Sequence, residues 1–115
     1  GTGAALLGAL RDGDLVALQV DRPSAGGKNA RVELFDRPLD LPLGPIALAR
    51  AAGALMIPVF VYRTGRSRYR IRFRAAIRID SESDLEVQAQ RVAREVEWAI
   101  RQEPHQWFCF HSLWP

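Results

Sequence analysis

The 115-residue sequence contains one cysteine and two histidines, and both shortages restrict its chemistry. A single cysteine, Cys109, excludes an internal disulfide framework and fits a reducing compartment. Its aromatic neighbours are typical of a small buried hydrophobe rather than of a reactive thiol. His105 and His111 lie six positions apart with Cys109 between them, and no further ligand is spaced to complete a metal site with them. We therefore predict no thiol-based or metal-based site, and the sequence indicates no cofactor.

Several other features are missing from the chain. No apolar run approaches the roughly 18 residues of a membrane-spanning helix, and residues 1–10 lack the basic start of a secretory signal. The loop at residues 24–28 lacks the spacing of a phosphate-binding loop. No internal repeat or low-complexity tract is present. The length allows one domain at most, so we expect residues 1–115 to form a single segment.

Acidic residues are absent between Arg63 and Arg78, a stretch that contains seven arginines. Arginines and apolar residues alternate through most of residues 66–79, so a strand there would have one basic and one apolar face. The basic positions are Arg66, Arg68, Arg70, Arg72, Arg74 and Arg78; the apolar ones are Tyr69, Ile71, Phe73, Ala75, Ile77 and Ile79. We expect the apolar face to cover a core.

Three interpretations of the basic face remain open: a solvated surface, pairing with the acidic segment that follows, or binding of a polyanion. Arg68, Arg70 and Arg72 are the candidates for an anionic-lipid surface, since basic residues are attracted to anionic membranes. Nucleic acid is disfavoured, because the basic face has no aromatic residues for base stacking and no known nucleic-acid motif is present.

The first part of the chain predicts a helix and two strands. Residues 4–10 indicate a helix that ends at Gly13. Residues 15–20 form a nearly continuous apolar run, which is typical of a strand buried on both faces of a parallel sheet. Residues 32–35 predict a second, short strand.

The middle of the chain predicts a helix followed by a strand. Pro45 suits the first position of a helix, and Gly53 suits its end, so we expect a helix over residues 45–52. Residues 55–62 predict a strand. Pro58 within it indicates an edge, a bulge or the end of a strand.

A long amphipathic helix is predicted near the end of the chain. Ser83 and Glu86 have the spacing of a capping box, and Pro104 lies just after the predicted helix end. The apolar stripe of this helix consists of Leu85, Ala89, Val92, Val96 and Ala99. Together these elements predict an α/β fold with a mixed, mostly parallel sheet flanked by helices.

The last thirteen residues, 103–115, hold four of the ten aromatic residues: Trp107, Phe108, Phe110 and Trp114. Chain ends are usually polar and frayed, whereas exposing this much apolar surface is costly. We expect Trp107 and Phe108 to pack against the sheet and the apolar stripe of the preceding helix. An exposed segment that contacts a partner or a membrane is the alternative.

This ending, a helix followed by Pro, Gln-Trp and a final Trp, resembles the end of the bacterial lipid A biosynthesis acyltransferases. Further matches follow in the family's order: the strand ending in Asp21-Arg22, residues 32–35 followed by Arg37-Pro38, the helix start at residues 41–45, and Gly53-Ala54 before the strand that leads to Arg63. Each piece is short, but their order and spacing cover nearly the whole chain.

The resemblance implies an acyltransferase that transfers a fatty acyl group from an acyl carrier protein or coenzyme A thioester to a lipid hydroxyl. It implies a peripheral location at the cytoplasmic face of the inner membrane. On this resemblance Asp21 is a supporting acidic residue of the catalytic pocket, and Arg22, Arg37 and Arg63 are candidates for substrate binding. Arginine suits anionic groups because its planar fork of donors matches phosphate.

The family's catalytic motif, a His followed at the fifth position by Asp or Glu, does not occur in this sequence. Phe110 stands five positions after His105, and only four residues follow His111. The resemblance therefore implies the C-terminal half of an acyltransferase domain, inactive by itself and completed by an N-terminal half. The sequence also departs from the family at Asp36, where the family has Gly. The alternative is a non-catalytic basic α/β module that binds anionic lipid or nucleic acid.

Overall fold

The computed structural model describes residues 2–18 and 27–106. The helices are α1 (Thr2–Arg11), α2 (Gly44–Ala52) and α3 (Leu85–Gln102), followed by a short 3₁₀ helix at Pro104–Gln106. The strands are β1 (Asn29–Leu34), β2 (Arg37–Pro42), β3 (Leu55–Met56), β4 (Val59–Gly65), β5 (Arg68–Phe73) and β6 (Ile77–Arg78). The predicted α/β class is confirmed.

The predicted mostly parallel sheet is wrong for the described residues. These strands form three two-stranded sheets, β1–β2, β3–β6 and β4–β5, and each pair is antiparallel. For two of these sheets the reason lies in the connections: two residues link β1 to β2 and two link β4 to β5. Such short links can join only antiparallel strands, whereas a parallel pair needs a long crossover.

The predicted first strand is also wrong in its described part. Residues 15–18 have no regular structure, and Leu15 is 98% exposed. An apolar run forms a buried strand only where neighbouring strands pair with it, and within the described residues no strand pairs with this segment. Residues 19 and 20 lie outside the described residues.

The core lies between the β1–β2 hairpin and α3. Alternate residues of the hairpin face inward and are buried: Ala30, Val32, Leu34, Leu39 and Leu41. The apolar stripe predicted for α3 is confirmed, with Ala89, Val92, Val96 and Ala99 buried and Leu85 packed at the margin of the core. Ala89 and Ala93 are completely buried, and their small side chains allow the helix to approach the hairpin closely.

The N-terminus of α3 differs in detail from the prediction, because Asp84 and not Ser83 caps the helix. Its carboxylate accepts hydrogen bonds from the backbone N–H groups of Glu86 (2.8 Å) and Val87 (3.1 Å). The Ser83 hydroxyl instead stabilises the preceding turn, where it accepts a hydrogen bond from the N–H of Asp80 (3.0 Å). Serine and aspartate are equally good caps, so adjacent candidates could not be separated by sequence.

Pro45 and Gly53 mark the two ends of α2, as predicted. Gly53 ends α2 in the left-handed conformation, with φ of 64°, and Pro45 lies in the first turn. Pro58 separates β3 from β4, so the predicted strand 55–62 is two strands. The predicted strand 66–79 is likewise divided into β5 and β6, and Ile77 and Ile79 of its final part are buried in the core.

Candidate functional site

A large groove of about 1120 Å³ opens beside the core. Its walls come from residues 13–18, α2, the strands β3 and β4, and the apolar side of α3. Among the lining side chains are Leu48, Met56, Val59, Phe73, Val96 and Ile100. Small-molecule sites typically measure about 300–1,000 Å³ and are mostly apolar. The groove therefore has the size and lining for an extended apolar ligand.

A cluster of two aromatic rings and an arginine fixes the β4–β5 hairpin against α3 beside this groove. The Phe60 ring lies 6.2 Å from the Trp98 ring, centroid to centroid. The guanidinium carbon of Arg74 lies 3.9 Å from the Trp98 centroid, close enough for a cation–π contact. The Arg74 Nε also donates to Glu95 Oε2 at 2.7 Å. This pairing neutralises Glu95, a carboxylate in the groove wall, and so keeps the wall compatible with an apolar ligand.

Tyr62 makes a second contact between β4 and α3. Its buried hydroxyl donates a hydrogen bond to the backbone carbonyl of Ala99 at 3.0 Å. Burial raises the pKa of this phenol, an effect to which Glu103 adds and which Arg72 and Arg74 oppose. The neutral, donating form of Tyr62 is thus favoured throughout the physiological range.

A pair of side-chain amides ties helical residues to strand edges. The Gln106 amide accepts from the Arg63 N–H (2.8 Å) and donates to the Arg63 carbonyl (2.7 Å). Gln90 of α3 forms the same pair of bonds with the backbone of Glu33, both at 2.9 Å. Each glutamine replaces one residue of a neighbouring strand and satisfies backbone groups at a strand edge.

The turn between β1 and β2 contains two residues in the left-handed region, Phe35 (φ 51°) and Asp36 (φ 61°). This is the geometry of a tight two-residue hairpin turn, in which glycine is the least strained residue. The structure therefore gives a physical reason for the glycine that the family resemblance expects at position 36. Asp36 adopts the same left-handed conformation. The conformational cost is higher than for glycine but lower than for most other residues, because aspartate tolerates this region comparatively well.

Glu97 of α3 holds this turn in place. Its buried carboxylate accepts a hydrogen bond from the Phe35 N–H at 2.8 Å and pairs with Arg94 at 2.9 Å. A second arginine, Arg101, places its guanidinium carbon 5.1 Å from the centroid of the Phe35 ring. The carboxylate thus supports Phe35, a strained residue two positions before the predicted substrate-binding Arg37.

The structure places the predicted arginines on two different hairpins. Arg37 is exposed at the start of β2, whereas Arg63 is exposed on β4. Arg68, Arg70 and Arg72 alternate along β5, on the face opposite to that of Arg63, because Arg63 pairs with Tyr69. Arg63 and the three β5 arginines thus share a hairpin but not a face.

The expectation that the apolar face of residues 66–79 covers a core is wrong for β5. Tyr69, Ile71 and Phe73 are 65%, 56% and 71% exposed. The face that packs on α3 is the opposite one, which carries Phe60 and Tyr62 of β4 together with arginines of β5. The hairpin thus turns Phe60 and Tyr62 toward α3, although its opposite face carries more apolar residues.

Several predicted features lie outside the described residues: Asp21, Arg22, Cys109, His111 and the packing of Trp107 and Phe108. His105 is described, exposed, and lies 3.5 Å from the Glu103 carboxylate, Nε2 to Oε2. In the described part of the chain, no three His, Cys, Asp or Glu side chains are grouped as metal ligands. No helix there is both long and apolar enough to cross a bilayer.

Sequence reasoning missed the groove and the role of Glu97. The groove is formed by segments distant in sequence, so no local pattern indicates it. Glu97 was detectable in principle, because it adjoins the apolar stripe of α3 and has arginines three residues before and four residues after it. A carboxylate in that position is expected to be paired when it is buried.

The comparison with known families agrees with the features that the sequence suggested. A search of curated proteins finds no match. The profile of the bacterial lipid A biosynthesis acyltransferases, in contrast, matches residues 4–115, nearly the whole chain. The chain belongs to the bacterial lipid A biosynthesis acyltransferase family.

Proposed function

We propose that this chain forms the acyl-chain wall of an acyltransferase that moves a fatty acyl group from an acyl carrier protein or coenzyme A thioester to a lipid hydroxyl. The observation that carries this proposal is the apolar groove beside α3. Its volume of about 1120 Å³ exceeds the usual range for small-ligand sites, which suits a long flexible chain. Each buried methylene contributes about 0.8 kcal/mol, so a groove of this volume favours longer chains.

The polar ends of the substrates require other groups. Asp14, Glu103 and Gln106 are polar residues at the groove wall. In this proposal Asp21 supports the catalytic pocket, and Arg22, Arg37 and Arg63 bind the anionic parts of the donor or acceptor. Guanidinium groups suit that role because they remain charged and offer several donors.

The chemistry needs a base on the acceptor hydroxyl. In the proposed reaction a histidine takes the hydroxyl proton, the oxygen attacks the thioester carbonyl carbon, and the thiol leaves with that proton. A general base contributes about 10²–10⁴ in rate. Because these 115 residues contain no His-x4-Asp/Glu pair, we propose that another segment supplies it and that this chain alone does not catalyse transfer.

Binding of acyl-coenzyme A to the chain in solution, measured by isothermal titration calorimetry, tests the groove. We expect affinity to rise about fourfold per added methylene from C8 to C14. The variant Leu48→Trp fills the groove and should weaken dodecanoyl-coenzyme A binding at least tenfold. Ala51→Trp is the control, because Ala51 is exposed on the same helix and does not line the groove.

Affinity that is independent of chain length, or equal binding by both variants, would contradict the proposed function. A transfer assay with a detergent-solubilised lipid acceptor tests the second part. Thioester turnover above a boiled control, lost on mutation of residues in this chain, would show that catalysis needs no external histidine.

A further inference from the structure

One face of the β4–β5 hairpin is an exposed apolar surface. The strand register places Val59 opposite Phe73, Val61 opposite Ile71, and Arg63 opposite Tyr69. The five apolar members of this face are between 45% and 71% exposed. A contiguous apolar patch of this kind marks an interaction site rather than ordinary surface. We call these five residues, Val59, Val61, Tyr69, Ile71 and Phe73, the hairpin face.

Positive charge lies at the end of the hairpin face and on the opposite face of the same hairpin. Arg63 lies at its end, and Arg66, Arg68, Arg70 and Arg72 lie in the turn and along β5. The stretch from Arg63 to Arg78 has no acidic residue. Within residues 2–18 and 27–106, no ion pair involves any of the arginines 66, 68, 70 and 72. The partner of this surface must therefore offer both apolar material and negative charge.

We propose that the hairpin face enters the interfacial layer of an anionic lipid bilayer while the arginines remain at the level of the headgroups. Edge-to-edge pairing with a second copy fits poorly, since two adjacent β5 strands would bring arginines close to arginines. Like charges on adjacent strands are destabilising. An anionic bilayer supplies both requirements, apolar material below and negative charge at its surface.

The geometry limits how deep the hairpin enters. β5 pairs only with β4 among the described strands, so backbone groups along its outer edge need water or headgroups as partners. Unsatisfied backbone groups are costly in hydrocarbon, which keeps the hairpin at the interface. The arginines on its other face remain within a Debye length of about 8 Å of the surface, and their long side chains extend toward it.

The hairpin face also adjoins the groove, because Val59, Val61 and Phe73 belong to both. A lipid held at the interface thus has a direct route to the groove from the membrane. This part of the inference rests on the proposed function. The sequence-based expectation was that the arginine face alone contacts lipid. In the present proposal the hairpin face is the part that inserts into the bilayer interface.

Co-sedimentation with vesicles tests the inference on the 115-residue chain. Vesicles of phosphatidylcholine with 30% phosphatidylglycerol should bind it, and pure phosphatidylcholine should bind it more weakly. The double variant Ile71→Ser with Phe73→Ser should reduce binding at least tenfold. Val87→Ser is the matched control, because Val87 on α3 is 57% exposed and Ile71 is 56% exposed.

The charge contribution is tested with Arg68, Arg70 and Arg72 changed to Gln. Each arginine near an anionic surface contributes roughly a fivefold factor in binding, so this triple variant should lose most of the preference for phosphatidylglycerol. In 1 M salt the parent should retain the residual binding that comes from the hairpin face, because screening leaves apolar contacts intact.

Unchanged vesicle binding by the double serine variant would overturn the inference. Sedimentation velocity without lipid provides the other decisive result: a dimeric parent that becomes monomeric in the double variant would assign the hairpin face to a second copy. The outcomes are separable from those of the proposed function. Acyl-coenzyme A binding without vesicle binding refutes only this inference, and the reverse result refutes only the acyl-chain groove.

Discussion

The two long antiparallel hairpins differ in what covers their apolar faces, although both alternate in sequence. In the β1–β2 hairpin the apolar residues face α3 and are almost completely buried. In the β4–β5 hairpin the alternating apolar residues of β5 face solvent, while Phe60 and Tyr62 pack toward α3. Alternation therefore defines two faces of a hairpin, but the neighbouring elements decide which face becomes core.

The largest expected effect is a difference in stability between alanine substitutions in the two hairpins. Leu39→Ala in β2 removes a side chain that is 1% exposed and leaves a cavity, so it should lower the free energy of unfolding by about 2–5 kcal/mol. Ile71→Ala in β5 removes one that is 56% exposed and should change it by about 0.5 kcal/mol or less. Urea denaturation followed by circular dichroism measures both. Similar losses in the two variants would mean that the hairpin face is buried in solution.

A smaller effect should show what holds the β1–β2 turn. Glu97→Leu keeps apolar volume but leaves the Phe35 N–H without its acceptor, at an expected cost of about 1–3 kcal/mol. Glu97→Gln keeps an acceptor oxygen and should cost less. Glu82→Gln, at an exposed position before α3, is the control and should be neutral. If the Leu variant is as stable as the parent, the carboxylate does not support the turn.

The smallest effect concerns the attachment of the second hairpin to α3. Tyr62→Phe removes the hydrogen bond to the Ala99 carbonyl and should cost about 0.5–1.5 kcal/mol at pH 8. Because burial raises the pKa of Tyr62 in the folded protein, its contribution is fully present below the pKa of the unfolded state. It is lost as the pH rises through the raised folded value.

The pH dependence of stability, compared between the parent and Tyr62→Phe, is the control for this prediction. The parent should lose stability above about pH 10, the ordinary pKa of tyrosine, and Tyr62→Phe should lose less over the same range. Urea titrations at pH 8, 9, 10 and 11 measure the difference. Parallel curves for the two proteins would show that Tyr62 does not titrate as a buried phenol.

The sequence by itself determined the local elements, because their signals are carried by neighbouring residues. Pro45 and Gly53 set the ends of α2, Pro58 divides β3 from β4, and the stripe of α3 is buried as its spacing indicates. The order of short motifs also identified the family that the profile match shows. Such signals act over one turn of helix or two residues of strand, so the sequence predicts these elements without knowledge of the tertiary structure.

Tertiary structure decided everything that depends on which segments meet. The two-residue links of the hairpins made two of the three described sheets antiparallel, and residues 15–18 have no strand partner there. The face of the β4–β5 hairpin that contacts α3 is the one with Phe60 and Tyr62, and not the face that the alternation of β5 predicted. The groove and the buried carboxylate of Glu97 likewise arise between segments far apart in sequence. Their burial is a property of packing, which no local pattern of residues specifies.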